Sequence, residues 1–232
     1  MKRYLILLFL TFYSVFSYSQ KDVTKFLGIP VDGSEYDMRS KLIEKGYSYD
    51  SITNRLSGAF NGEDVYIYIV TNKVMNQENK VRRIMVAYQN IVDEISIKRK
   101  FNNLCYQFNE NPKYIAATPR DYIIPKNENI EHQISLYKKS YEAAYYQILD
   151  SSNVENQQRI TESLQAKYTP ETLANPTKKQ QKDILDRVLT ITFDITSRKS
   201  VWFTISRYDY NQYGISLYYD NEYNNTNNGS DL

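Results

Sequence analysis

His132 is the only histidine in the chain and Cys105 the only cysteine. A dyad or triad with an imidazole base would have to be built on His132, and a thiol nucleophile on Cys105. Their surroundings argue against the pair. Cys105 falls in an apolar stripe at helical spacing, where cysteine packs as a small inert hydrophobe. His132 falls in a polar connector or at the start of a strand. A zinc site built on histidine and cysteine lacks ligands. Asp220-Asn221-Glu222-Tyr223-Asn224 spaces oxygen atoms at alternate positions, with Asn227 and Asp231 nearby. A hand-type calcium loop requires glycine at its sixth position, and Asn225 stands there, so the segment reads as a solvated tail. A glycosidase pair needs two acids brought together in space. Asp194, in the run TITFDIT, is the acid in the most apolar setting. The 7 glycines stand singly, which leaves no phosphate loop or dinucleotide fingerprint. No catalytic, cofactor or metal residue is assigned, and no cofactor is expected. What remains for function is a candidate binding face carrying Tyr66 and Tyr68.

Those two tyrosines are placed by the best-specified stretch of the chain, Asn54 to Tyr88. Asn61-Gly62 is the preferred pair for a two-residue type I′ turn, because both positions need φ > 0. The turn sets the register: Phe60 opposite Glu63, Ala59 opposite Asp64, Gly58 opposite Val65, Leu56 opposite Ile67. Side chains alternate along a strand. Leu56, Gly58, Val65, Ile67 and Ile69 therefore share a core face, and Ser57, Ala59, Tyr66, Tyr68 and Val70 take the other. A third strand repeats the pattern, with Ile84, Val86 and Tyr88 on one side and Arg83, Met85 and Ala87 on the other. Such a sheet needs a covering layer.

Helices on either side can supply it. Ser34 with Asp37 three residues on is a capping-box variant, Met38, Leu42 and Ile43 make an apolar stripe, and Gly46 ends the helix. Asp93 to Asn109 carries Ile97, Phe101, Leu104, Cys105 and Phe108 on one face. Thr118 to Lys126 is a connector. Ile130 to Leu149 reads as two strands around Lys138-Lys139, with a helix from Tyr141 to Leu149 as the alternative. Asn153 to Lys167 and Thr177 to about Val188 are helical in pattern. Val188 to Thr196 is β-branched and fits either a longer helix or a strand. Ser200 to Tyr208 and Gly214 to Asp220 form a closing strand pair. The fold class is α+β, antiparallel sheet covered by helices. An N-terminal unit (20–117) and a C-terminal unit (118–232) are expected to be packed together or continuous, and their strands are similar enough to suggest two related halves.

Residues 1–19 have the make-up of a signal peptide. Lys2 and Arg3 form a positive n-region, Tyr4 to Phe16 is uncharged and apolar, and Ser17-Tyr18-Ser19 offers small residues for cleavage before Gln20. The run is shorter than the ~20 residues a spanning helix needs. No cysteine follows it, so a lipid anchor is not expected, and the mature chain is expected to be periplasmic or secreted with no transmembrane segment. The chain has 29 Lys+Arg and 27 Asp+Glu; without Lys2 and Arg3 the two balance at 27 each. That balance argues against nucleic acid as a partner. Tyrosine stands out at 23 residues, against 9 phenylalanines and 1 tryptophan. This follows the β-propensity of the predicted strands.

The phrases FLGIPVDGS (Phe26 to Ser34), LSGAFNGEDV (Leu56 to Val65), YEAAYYQ (Tyr141 to Gln147), VWFTIS (Val201 to Ser206) and YYDNEYNN with NGSDL at the end (Tyr218 to Leu232) resemble a group of uncharacterised exported proteins of Gram-negative gut anaerobes. Residues 151 to 199 are longer than that group would lead one to expect. The resemblance implies a periplasmic or secreted address and carries no catalytic residues with it. A looser likeness of topology links the chain to the helix-plus-antiparallel-sheet repeats of β-lactamase-inhibitor-like and outer-membrane-assembly lipoprotein domains. The functional expectation is a non-catalytic binding or interaction module of the cell envelope, taking a protein or a glycan. Two other readings stand beside it: a carboxylate-dependent envelope hydrolase, and an inhibitor-like protein that blocks another exported enzyme.

Overall fold

The computed structural model describes residues 21–72 and 79–225. The expected leader (1–19) and the end of the tail, with Asn227 and Asp231, lie outside the described residues. The described chain divides into two compact units. One is a sheet unit made of residues 23–148 and the chain from Thr196 onward; the other is a helical unit made of Leu149–Ile195 with Asp22.

The sheet unit begins with a two-stranded ribbon, β1 (Lys25–Phe26) and β2 (Ile29–Pro30). Helix α1 (Glu35–Glu44) follows, started by Ser34, whose hydroxyl accepts from the Asp37 amide at 3.1 Å. Then come β3 (Ser48–Asp50), β4 (Arg55–Phe60), β5 (Glu63–Thr71) and β6 (Val81–Tyr88). Asn61 and Gly62 join β4 to β5 with φ of 52° and 77°. The predicted register is met pair for pair, from Phe60 opposite Glu63 to Leu56 opposite Ile67. Helix α2 (Glu94–Glu110) is capped by Asp93 and buries all five stripe residues. A short strand β7 (Tyr114–Ala116), helix α3 (Ile130–Tyr137), β8 (Glu142–Gln147), β9 (Ser200–Asp209) and β10 (Gln212–Asp220) complete the unit.

Eight strands form one antiparallel sheet in the order β3-β4-β5-β6-β10-β9-β8-β7. This is an α+β fold. β6, from the first half of the chain, pairs with β10 from its end, Val86 opposite Leu217 and Met85 opposite Tyr218. The sheet therefore runs through both expected halves. Its edges, β3 and β7, are three residues each, which limits the unpaired backbone open to another chain.

One face of the sheet holds the core. Leu56, Val65, Ile67, Ile84, Val86, Ala143, Tyr145, Val201, Phe203, Ile215 and Leu217 are buried there with Met38 and Leu42 of α1 and Ile130 of α3. Phe203 meets Phe101 of α2 edge-on at 5.0 Å and stacks on Phe108 at 5.5 Å. All three helices of this unit pack on that face.

Two local expectations are corrected and two open alternatives are decided. Ile43 is 47% exposed rather than part of the α1 stripe; one residue beyond Leu42, it is turned about 100° away from the buried side. Residues 130–137 are helix, not strand. The Asn129 side chain accepts from the His132 amide at 2.7 Å, and Lys138 ends the helix in the left-handed conformation. Residues 142–147 are the expected strand, so the alternative helix from Tyr141 to Leu149 does not form. Residues 188–196 continue a helix to Ser197. Their β-branched side chains lower helix propensity by only tenths of a kcal/mol, which packing overrides. The closing strands are also longer than expected, joined by Tyr210-Asn211 alone, with Asn211 at φ 51°.

The helical unit is inserted between β8 and β9 in the chain. It contains α4 (Val154–Gln165), α5 (Pro170–Ala174) and most of α6 (Lys178–Ser197). Arg159 pairs with Asp194 at 2.6 Å, and Asp183 accepts from Lys167 at 2.7 Å and from Arg187 at 3.3 Å. No helix among the described residues is long and apolar enough to cross a membrane.

Candidate binding face

Alternation along the strands sends every second side chain to the face opposite the helices. Tyr66 and Tyr68 of β5 both lie there, as expected from the hairpin register. The rest of the sheet adds partners that neither hairpin strand could name. Tyr68 lies opposite Met85, Met85 opposite Tyr218, Tyr218 opposite Trp202, and Trp202 opposite Ala144. This is one continuous row over five strands. At ~4.8 Å per strand it spans roughly 19 Å. A second row runs beside it: Ser57, Tyr66, Ala87, Ser216, Thr204 and Glu142. The first row is a ridge of large aromatic and thioether side chains. The second is, apart from Tyr66 and Glu142 near its ends, a floor of small and hydroxylated ones.

The centre of the ridge is held rigidly. The Trp202 and Tyr218 rings stack with centroids 4.0 Å apart and planes 15° apart. The Trp202 indole N–H donates to Asp220 Oδ2 at 2.8 Å. Arg83 grips the same carboxylate through Nε and Nη2, the latter at 2.9 Å. Its guanidinium lies 5.5 Å from the Trp202 ring and 5.1 Å from the Tyr218 ring. Donating to the Asp220 carboxylate raises the Arg83 pKa. At the other end Arg55 lies 3.7 Å over the Tyr66 ring. Asp220 is nearly buried while Arg83 keeps 28% of its side chain exposed. The arrangement therefore offers solvent a fixed cation beside a fixed aromatic pair. The Asp220 carboxylate is engaged by both Arg83 and Trp202.

The residues weighed for catalysis are dispersed. Cys105 is wholly buried on α2, and loss of solvent pushes its thiol up to about 12. That is the reverse of what a nucleophile needs. His132 is exposed on α3 beside Tyr137. Asp194 is on a helix, in its ion pair with Arg159. Asp220, first residue of the acidic tail segment, serves the ridge, and Asn221 and Asn224 tie that tail to Val31, Asp32 and Val81. Among the described residues, no group of three or more His, Cys, Asp or Glu could hold a metal ion.

A second polar cluster lies on the helix-covered side. Glu131 of α3 accepts from Arg207 at 2.9–3.0 Å, from the Tyr213 hydroxyl at 2.5 Å and from Ser135 at 2.9 Å. Arg207 first, then Tyr213, lower the Glu131 pKa to about 2. A depressed carboxylate pKa stabilises the fold above the unfolded value, near 4.3, and the gain is lost as pH falls toward 2. Melting temperature should therefore decline between about pH 5 and pH 2, with a shallower slope in Glu131→Gln. An unchanged slope in that variant would show that Glu131 carries none of the acid sensitivity.

The Trp202–Tyr218–Arg83–Asp220 group escaped the sequence reading. Its one available signal was the alternation in VWFTIS, which sets the sole tryptophan on the face opposite Phe203. Compared with family models, curated proteins and solved structures, the chain matches none.

Proposed function

We propose that this protein is an exported, non-catalytic binding module that takes an extended glycan across the face bearing Tyr66, Tyr68, Trp202 and Tyr218. The observation that carries the reading is the paired geometry of the two rows, an aromatic ridge alongside a hydroxylated floor. Sugar rings present apolar C–H faces and polar edges, and that ligand suits both rows at once. The aromatic side chains supply apolar area with few rotamers to freeze. Ser57, Thr204 and the free edge of Arg83, all partly exposed, supply hydrogen bonds; Ser216 is buried between them. An apolar protein segment would leave the floor hydroxyls without partners, which costs affinity. The exported address rests on the make-up of residues 1–19.

The chain carries its own probe, since its single tryptophan is on the ridge. Titration with neutral oligosaccharides of several hexose units, and with peptidoglycan fragments, should change Trp202 emission saturably. Tyr68→Ala should weaken that binding by about tenfold, the loss of one good aromatic contact. Tyr68 is outside the Arg83–Asp220 network, so the variant should stay folded, losing about 1 kcal/mol from β-propensity and its contact with Arg55. Emission unmoved by every glycan, or affinity unchanged in Tyr68→Ala, would overturn the proposal. Emission moved only by an envelope protein would assign the face to a protein partner instead.

A further inference from the structure

On the helix-covered side, at the end of α3, a cavity of about 310 Å³ opens between the helix and β9. Its size is at the small end of ligand pockets, which run from ~300 to ~1,000 Å³. Three cations line it: Lys138, Lys139 and Arg207. Ile134 and Ile205 give it an apolar wall.

The three cations are engaged to different degrees. Arg207 is matched by Glu131, though it spends only Nε and Nη2 there. Lys139 is matched by Glu128. Ser140 donates to Glu142 at 2.9 Å, so that carboxylate is also engaged nearby. The Lys138 ammonium donates to the Ser135 carbonyl at 3.1 Å and joins no ion pair among the described residues. Lys138 lines the same cavity as Arg207, whose Nη1 makes no hydrogen bond among the described residues.

The backbone at Lys138 adds a second observation. Its φ of 54° and ψ of 28° are left-handed. Glycine is the usual residue at such a helix end, and a side chain there costs about 1 kcal/mol. A lysine stands at this position at that cost, and it lines the cavity.

We propose that this cavity binds a small organic anion. Its carboxylate or phosphate group is held between Lys138 and Arg207, and its short apolar part lies against Ile134 and Ile205. Arg207 and Ile205 point to the core side of β9, so this site is separate from the aromatic ridge. Its occupancy should leave Trp202 emission unchanged.

Calorimetric titration of the full mature chain with sodium citrate and with sodium phosphate, at ionic strength held constant by sodium chloride, tests the proposal. Saturable one-to-one binding of either anion is expected; citrate alone would point to a carboxylate ligand and phosphate alone to a phosphate ester. Lys138→Gly should weaken the binding by about tenfold, the value of one charge-assisted contact. That variant relieves the left-handed strain, so its melting temperature should equal or exceed the wild type's, and the loss cannot be ascribed to misfolding. Lys138→Gly binding as tightly as the wild type would overturn the proposal. So would the absence of saturable binding of both anions to the wild type.

Discussion

Asp220→Ala should lower the melting temperature of the sheet unit by roughly 5–15 °C, from a loss of about 2–4 kcal/mol. The Asp220 carboxylate is nearly buried, and it receives two Arg83 nitrogens and the Trp202 indole N–H. Removing it leaves a cation over two aromatic rings with no counter-charge and a half-buried indole N–H with no acceptor. The full cost of breaking a buried pair runs to about 3–5 kcal/mol. The lower figure applies because Arg83 is 28% exposed and can recover part of its hydration. The measurement is thermal unfolding followed by tryptophan fluorescence, which reports the sheet unit because the only tryptophan is in it. The folded variant's emission should also shift, since the indole loses its hydrogen bond. A melting temperature within about 2 °C of the wild type would show that the network contributes little to stability, a shift worth under ~1 kcal/mol in a chain of this length.

Phe203→Ala, at the residue after Trp202 on β9, should destabilise by about 3–5 kcal/mol through a different mechanism. Phe203 is fully buried among Phe101, Phe108 and Tyr145. Truncation removes the ring that joins α2 to β8 and β9 and leaves a cavity in well-packed surroundings. The two variants share a loss of stability but differ in the second readout. Below its lower melting temperature, Phe203→Ala should keep the wild-type emission, because its side chain is on the opposite face from Trp202. It should also keep any ridge ligand's affinity. A changed emission in folded Phe203→Ala would mean that the two faces of the sheet are coupled.

Local chemistry made the hairpin legible. Asn61-Gly62 demands left-handed backbone at both positions, and fixing the turn fixes every pair that follows. Gly58 shows the limit of that logic. As a strand residue it has no turn to serve, yet a Cβ there would come within 2.7 Å of the Tyr47 ring. The ring is eleven residues away, and its hydroxyl donates to the Ala59 carbonyl at 3.0 Å. Helix α2 was legible from its five-residue stripe and its Asp93 cap. Helix α3 was not: IEHQISLY carries only two residues that bury or pack, and its capping asparagine precedes a stretch of mixed character.

The sequence by itself determined the two strand faces of the hairpin, the burial of Cys105 and the placement of Tyr66 and Tyr68 away from the core. These follow from periodicity, turn stereochemistry and residue type, all acting over a few neighbours. Only the tertiary structure decided that β10 returns to pair with β6, and that pairing makes the binding face. It sets Tyr218 opposite Met85 and brings Asp220 to Arg83, 137 residues earlier. Pairing between distant strands is chosen by the sum of core packing and ladder hydrogen bonds over the whole sheet, so no local pattern in either strand specifies it.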